Sequence, residues 1–238
     1  MASIDGKPTL LHLNDSQSQT ILWLLEELEI PYDIKYFERE TSGKNKARAP
    51  ASLKETHMLG KSPQLITASG RVVIERSAIS KYLIDTYDAA GKFKISSADG
   101  ERNDALHEEE LLGFAQSSWY VTVMVAVILH YTKTYSPFIV RPLIGAVSAM
   151  LRYGFIDKEL DAQLKYLNSQ LEGQNFFLSN ENPTRVDVVL FFMVQMPHTA
   201  KVIDIKTYPN VKAWYERCLS RPAWRRGIEK GNGYVMGG

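Results

Sequence analysis

Between Thr9 and Leu13 the chain reads TLLHL, a short apolar run that suits a buried first strand. Ile21, Leu22, Leu24, Leu25 and Leu28 then recur at three- and four-residue intervals, which predicts an amphipathic helix ended by Pro31. Tyr32 to Phe37 alternates well enough for a second strand. The charged stretch Glu38–Ala49 reads as a solvated loop, and Pro50–Thr56 as a short helix. Pro63 opens another strand, Ser69-Gly70 turns the chain, Val72–Ile74 makes a fourth strand, and Glu75 opens a helix carried by Ile79, Tyr82, Leu83 and Tyr87. Strand, helix, strand, short helix, hairpin and helix in that order describe a compact α/β unit over residues 1–90.

Asp88–Asp99, with Gly91 and two serines, suits a linker, placed at residues 91–100. Beyond it the pattern over residues 101–238 is helical. One long helix is expected from Glu101 to His130, interrupted by the two prolines of Ser136–Pro142. Leu160, Leu164, Leu167 and Leu171 mark one face of another helix, which Gly173 can end. Thr184 and Asp187 have capping-box spacing before an apolar run, Val186–Met196, that should be central and buried. Pro209 suits the first turn of a last helix and Pro222 its stop, leaving GNGYVMGG as a loose tail.

Charge excludes little by itself: 28 Lys+Arg against 27 Asp+Glu leave +1, so no global field favours nucleic acid or an anionic surface. The single cysteine, Cys218, falls in a helical pattern and can form no internal disulfide, which suits a reducing, cytoplasmic setting. MASIDGKPTL lacks the pattern of a secretory signal. The apolar run Trp119–Tyr131 is shorter than the roughly 20 residues of a spanning helix and reads as a buried helix. Membrane association is possible but not indicated.

The chemistry concentrates in residues 57–79, where strand, turn, strand and helix N-terminus converge and could hold a small anionic ligand. Ser16 and Gln19 have the spacing of a capping box, so Ser16 can serve simply to satisfy backbone donors. His57, as a lone histidine, is as readily structural as liganding.

Six separated segments, LHLNDSQSQTILWLLEEL, APASLKETHMLGKSP, IERSAISKYL, SPFIVRP, NPTRVDVVL and YPNVKAWYERCLSRP, together resemble the cytosolic glutathione transferases. The second and fourth are most similar to a fungal and bacterial branch that includes a yeast enzyme associated with the endoplasmic reticulum. The resemblance implies a thioredoxin-like α/β N-terminal domain and an all-α C-terminal domain. It also implies a homodimer that uses glutathione as co-substrate, with no metal, to attack a small hydrophobic electrophile. In that reading Ser62 and Pro63 pair with the cysteinyl part of glutathione, and Lys61 and His57 lie at the glycyl end. Glu75, Arg76 and Ser77 lie at the γ-glutamyl end. Ser16 is the first choice for stabilising the thiolate, with Asn14 and Ser18 close behind. Trp119, Tyr120, Val123 and Met124 are candidates for the electrophile pocket, although such a stripe is more often core. Relatives often carry Ser-Arg-Ser-x-Arg where this chain has Ser16-Gln17-Ser18-Gln19-Thr20, a proline at Met58, and a serine at Arg76. A glutathione-binding regulatory protein, or a glutathione-dependent peroxidase or biosynthetic enzyme, are the competing readings. Detoxification and biosynthesis are not distinguished.

Overall fold

A computed structural model describes residues 6–43, 46–93, 95 and 104–234. Most of the expected linker, the first five residues and the last four lie outside the described residues. The chain forms two compact units, residues 1–94 with 218–238, and residues 95–217.

In the first unit, β1 (Thr9–Leu13), β2 (Asp33–Phe37), β3 (Gln64–Ile66) and β4 (Val72–Ile74) form one sheet in the order β2-β1-β3-β4. β1 and β2 are parallel, joined through α1 (Ser18–Leu28); β3 runs antiparallel to β1, and β4 to β3. Ala51–Glu55 is a 3₁₀ turn, and α2 (Arg76–Tyr87) follows β4 directly. Alternation along β1 sends Leu11 and Leu13 to a cluster with Phe37 and Leu53. This architecture is the small mixed sheet of a thioredoxin-like domain.

The helix opened by Pro209 ends at Ser220, just before Pro222 as expected, but it is not the last: Pro222 opens a further helix, α9 (Pro222–Lys230), at the first helical position, where a missing N–H costs nothing. α9 packs along α1 within the first unit. Trp224 meets Trp23 edge to face with ring centroids 5.7 Å apart. Arg221 donates to both Glu27 carboxylate oxygens, and Arg226 and Lys230 pair with Glu26. The tail is also packed as far as it is described, because Tyr234 is buried with its ring against Trp224.

The second unit is helical: α3 (Ala105–Gln116), α4 (Ser118–Tyr135), α5 (Arg141–Leu151), a π-helical turn (Arg152–Ile156), α6 (Asp157–Gln170), α7 (Arg185–Thr199) and most of α8 (Pro209–Ser220). The helix expected from Glu101 to His130 is broken at Ser117, whose φ −111° and ψ −80° leave the helical region. α7 is the buried axis, as its composition predicts, and its Thr184–Asp187 capping box is formed. Asp187 also accepts from Phe177 N and Trp214 Nε1. Burial nevertheless pushes its carboxyl up to about 6 against those four donors.

α4 is buried on one face only. Trp119, Val123 and Ala126 lie in the core, whereas Val121, Val125 and Ile128 are exposed. α5 buries only Ser148, although Leu143, Val147, Met150 and Leu151 recur along one face. From Leu111 to Ile156 the sequence carries no Asp or Glu. Taken together, α3 and α4 (Ala105–Tyr135) are long and apolar enough, by length and composition alone, to cross a membrane.

Candidate functional site

The sheet register gathers the candidate residues of the first unit at one end. β1 and β2 run towards that end (Leu13 opposite Phe37), β3 starts from it (Gln64 opposite Leu11), and β4 finishes at it (Ile74 opposite Gln64). The same end therefore collects the loop from Asn14 to Gln17, the approach Lys61–Pro63, and Glu75 with the first turn of α2. Helices α1 and α2 both begin here. At α1 the first N–H groups are already used within the loop, Ser18 N by Ser16 Oγ, Gln19 N by Ser16 O and Thr20 N by Gln17 O. Both helices still carry the positive end of the helix dipole, a favourable setting for a carboxylate or thiolate.

The Ser62–Pro63 peptide is cis, and Ser62 Oγ donates to Leu11 O at 3.1 Å. Among the described residues the Ser62 backbone N–H and C=O make no hydrogen bond within the protein, which leaves both able to pair with an extended ligand. Gln64, which sequence reasoning passed over, braces this corner: its Nε2 donates to Leu53 O (3.1 Å) and Lys61 O (2.9 Å). A glutamine just after Pro63, at a strand position where an apolar residue would suffice, was the signal. Lys61 is exposed, and His57 is half-buried with its Nδ1 accepting from Leu59 N. Glu75 is exposed at φ 68° and ψ 126°, while Asp15 across the site has φ 46°. Left-handed backbone in residues other than glycine costs on the order of 1–3 kcal/mol and collects where a fold holds a site. Arg76 is buried and Ser77 half-buried in the turn that follows.

The first loop is less open than the sequence suggests. Ser16 Oγ donates to Leu13 O at 2.8 Å and accepts from Ser18 N at 3.2 Å. Ser18 Oγ accepts from Leu13 N at 3.2 Å and lies 2.8 Å from Ser16 Oγ and 2.9 Å from His12 Nδ1. Both serines are buried, and their two hydroxyl protons are committed among these partners. The capping box expected of Ser16 and Gln19 does not form, since both amide atoms of Gln19 are buried without a partner. His12 was not singled out from the sequence; burial draws its imidazole down to about 4, so it is neutral at physiological pH. Asn14 differs from the serines. Its Oδ1 accepts from Arg39 N at 2.9 Å. A backbone N–H can only donate, so the Asn14 oxygen must face it and the amide NH₂ is left for another acceptor.

Two family descriptions match this chain, "Glutathione S-transferase, N-terminal domain" over residues 16–86 and "Glutathione S-transferase, C-terminal domain" over residues 156–222. The chain belongs to the glutathione transferase family. It is 29% identical over 222 residues to glutathione S-transferase 3 of Schizosaccharomyces pombe, covering 93% of this chain and 86% of that one. Glutathione S-transferase 1 of Saccharomyces cerevisiae is 24% identical over 224 residues, covering 92% of each. Among solved structures, a glutathione S-transferase from Actinobacillus pleuropneumoniae superposes with a TM-score of 0.69 at 25% identity, covering 96% of this chain and 94% of its own. A sphingomonad glutathione S-transferase complexed with glutathione shares the fold, with a TM-score of 0.65 at 21% identity over 93% of this chain and 97% of its own.

The glutathione transferase fold thus gathers the glutathione-site candidates of the first unit at one sheet end. The electrophile candidates all lie on α4 of the second unit. Trp119 and Val123 are fully buried there, and Trp119 Nε1 donates to Met193 O at 3.2 Å; they fill that unit's core, the reading already favoured for such a stripe. Tyr120 and Met124 are half-buried.

Proposed function

We propose that this glutathione transferase binds glutathione at the sheet end described above and activates its thiol for attack on a hydrophobic electrophile. One observation carries the reading: the unspent Ser62 backbone, the exposed Glu75 carboxylate, Lys61 and the N-terminus of α2 sit at the same end as the Asn14 amide. Glutathione needs those groups together. Its two carboxylates call for a cation and a helix N-terminus, its ammonium for a carboxylate, its peptide for free backbone, and its thiolate for a donor. Asn14 is the group best placed to be that donor, ahead of Ser16 and Ser18, whose protons are spent inside the protein.

Retention on immobilised glutathione together with turnover of a generic aryl halide is the expected result. Retention without turnover, and without thiolate formation near neutral pH, would leave a binding protein and overturn the transferase reading. Failure to be retained would overturn both.

A cytoplasmic homodimer is part of the same reading. Glutathione transferases are generally dimeric, and the exposed apolar face of α4 and α5 is a surface in need of cover. Light scattering on the wild type should give a dimer, and Leu143→Glu with Met150→Glu should give a monomer. A wild-type monomer that cosediments with lipid vesicles would assign the face to a membrane surface instead.

A further inference from the structure

The residue that organises the first loop comes from outside it. Arg39, two residues beyond β2 in a stretch that reads as a solvated loop, makes three hydrogen bonds. Its backbone N–H donates to Asn14 Oδ1 (2.9 Å), its Nη2 to Asp15 O (2.7 Å) and its Nη1 to Ala47 O (3.0 Å). The last acceptor is itself held, because Ala47 N donates to Glu40 O and Glu40 N to Arg48 O. One side chain therefore ties Ala47 to Asp15, at the left-handed φ of 46° that sets the path of Asn14 into α1.

No carboxylate lies within ion-pairing distance of the Arg39 guanidinium among the described residues. Asp15 on the first loop is the charge that acts on it, Glu38, Glu40, Lys46 and Arg48 are its charged neighbours along the chain, and His12, hydrogen-bonded to Ser18, is neutral. Burial lowers the Arg39 pKa and Asp15 partly restores it, yet a guanidinium remains charged throughout the working pH range. The loop itself has no cation, since Asn14-Asp15-Ser16-Gln17-Ser18-Gln19-Thr20 contains no lysine or arginine.

We propose that Arg39 is a positioning residue for thiol activation: its backbone N–H orients the Asn14 amide, its guanidinium clamps Asp15 beside it so that the amide stays in place, and that same group supplies the positive charge that the first loop lacks. The inference rests on the glutathione-activating reading of this site. A loop held by two carbonyl contacts and a backbone–amide bond is pre-organised, so the donor meets the developing thiolate without rearrangement. A half-buried cation nearby favours the charged form of the thiol.

The test is the ultraviolet titration of the thiolate of glutathione bound to the intact protein, which needs no electrophile. Wild type should titrate below the roughly 8.5 of a free thiol. Arg39→Gln should raise that midpoint by about one pH unit, a tenfold loss of thiolate at a fixed pH below it, with little change in the calorimetric Kd for glutathione. Arg39→Lys, which keeps the charge and loses the two-carbonyl clamp, should fall between the two and serves if Arg39→Gln does not fold. Arg39 variants that titrate with wild type would overturn the proposal and leave the glutathione reading intact. A wild type that binds glutathione without lowering its thiol would overturn thiol activation itself, and Arg39's role with it.

Discussion

Glu27→Ala should lower the free energy of unfolding by about 3–5 kcal/mol, because it leaves buried partners without their charge. The Glu27 carboxylate is 3% exposed and accepts from Trp23 Nε1 (2.9 Å), Lys92 Nζ (3.2 Å) and both Arg221 donors. Without it the Arg221 guanidinium and the Trp23 indole lose a shared acceptor in a poorly hydrated setting. Urea denaturation checks this through the shift in midpoint at unchanged slope. Burial by itself would raise the Glu27 carboxyl. Hydrogen bonding and charge from Arg221, then Trp23 and Lys92, reverse that and hold it below the ordinary carboxylate range. A carboxyl depressed in the folded state contributes stability above its unfolded pKa and loses it as the pH falls through the folded one. The difference between wild type and Glu27→Ala should therefore be full at neutral pH and shrink below about pH 4. A difference that persists unchanged into acid would mean that packing, not charge, holds α9 to α1.

Asn14→Ala should reduce kcat/KM for an aryl halide by about one to two orders of magnitude while the Kd for glutathione changes little. The Asn14 amide has hydrogens to spare and is held in place by Arg39 N, and a thiolate that loses such a donor titrates higher. Ser16→Ala should cost far less turnover, since the Ser16 proton is directed at Leu13 O, and should show mainly as a loss of stability of about 1 kcal/mol. Steady-state kinetics beside a thermal melt separates the two effects. The reverse ranking, with Ser16→Ala inactive and Asn14→Ala competent, would return the thiolate to the serine.

Elements were legible in the sequence where local pattern decided them. The TLLHL strand, the leucine spacing of α1, the Ser69-Gly70 turn and the Thr184–Asp187 cap each follow from side-chain period or backbone chemistry within a few residues. Features that local pattern missed depend on distant partners. Pro222 reads locally as a stop, as it is for α8, and it is contacts with α1 far back in the chain, Trp224 on Trp23 and Arg221 on Glu27, that order the residues beyond it as α9. Ser16 has the spacing of an N-cap and the chemistry of a thiolate donor, but its fate is set by a three-dimensional competition for two protons among Leu13, Ser18 and His12. Arg39 was hidden for the same reason. A charged residue in a charged stretch has a solvated loop as its ordinary reading, and nothing nearby in sequence points to the carbonyls of Asp15 and Ala47.

The return of α9 to the first unit has a consequence for how the polypeptide is made. The N-terminal half of a protein usually has the chance to fold while the rest is still being synthesised. Here α1 emerges early with two acidic side chains, Glu26 and Glu27, and the cations at Arg221, Arg226 and Lys230 that pair with them follow roughly 200 residues later. Closing that loop costs entropy that is recovered only once α9 has been made. The first unit to appear is thus completed after the helical unit, and premature termination anywhere in the helical unit would leave Glu26 without Arg226 and Lys230 and Glu27 with Lys92 alone.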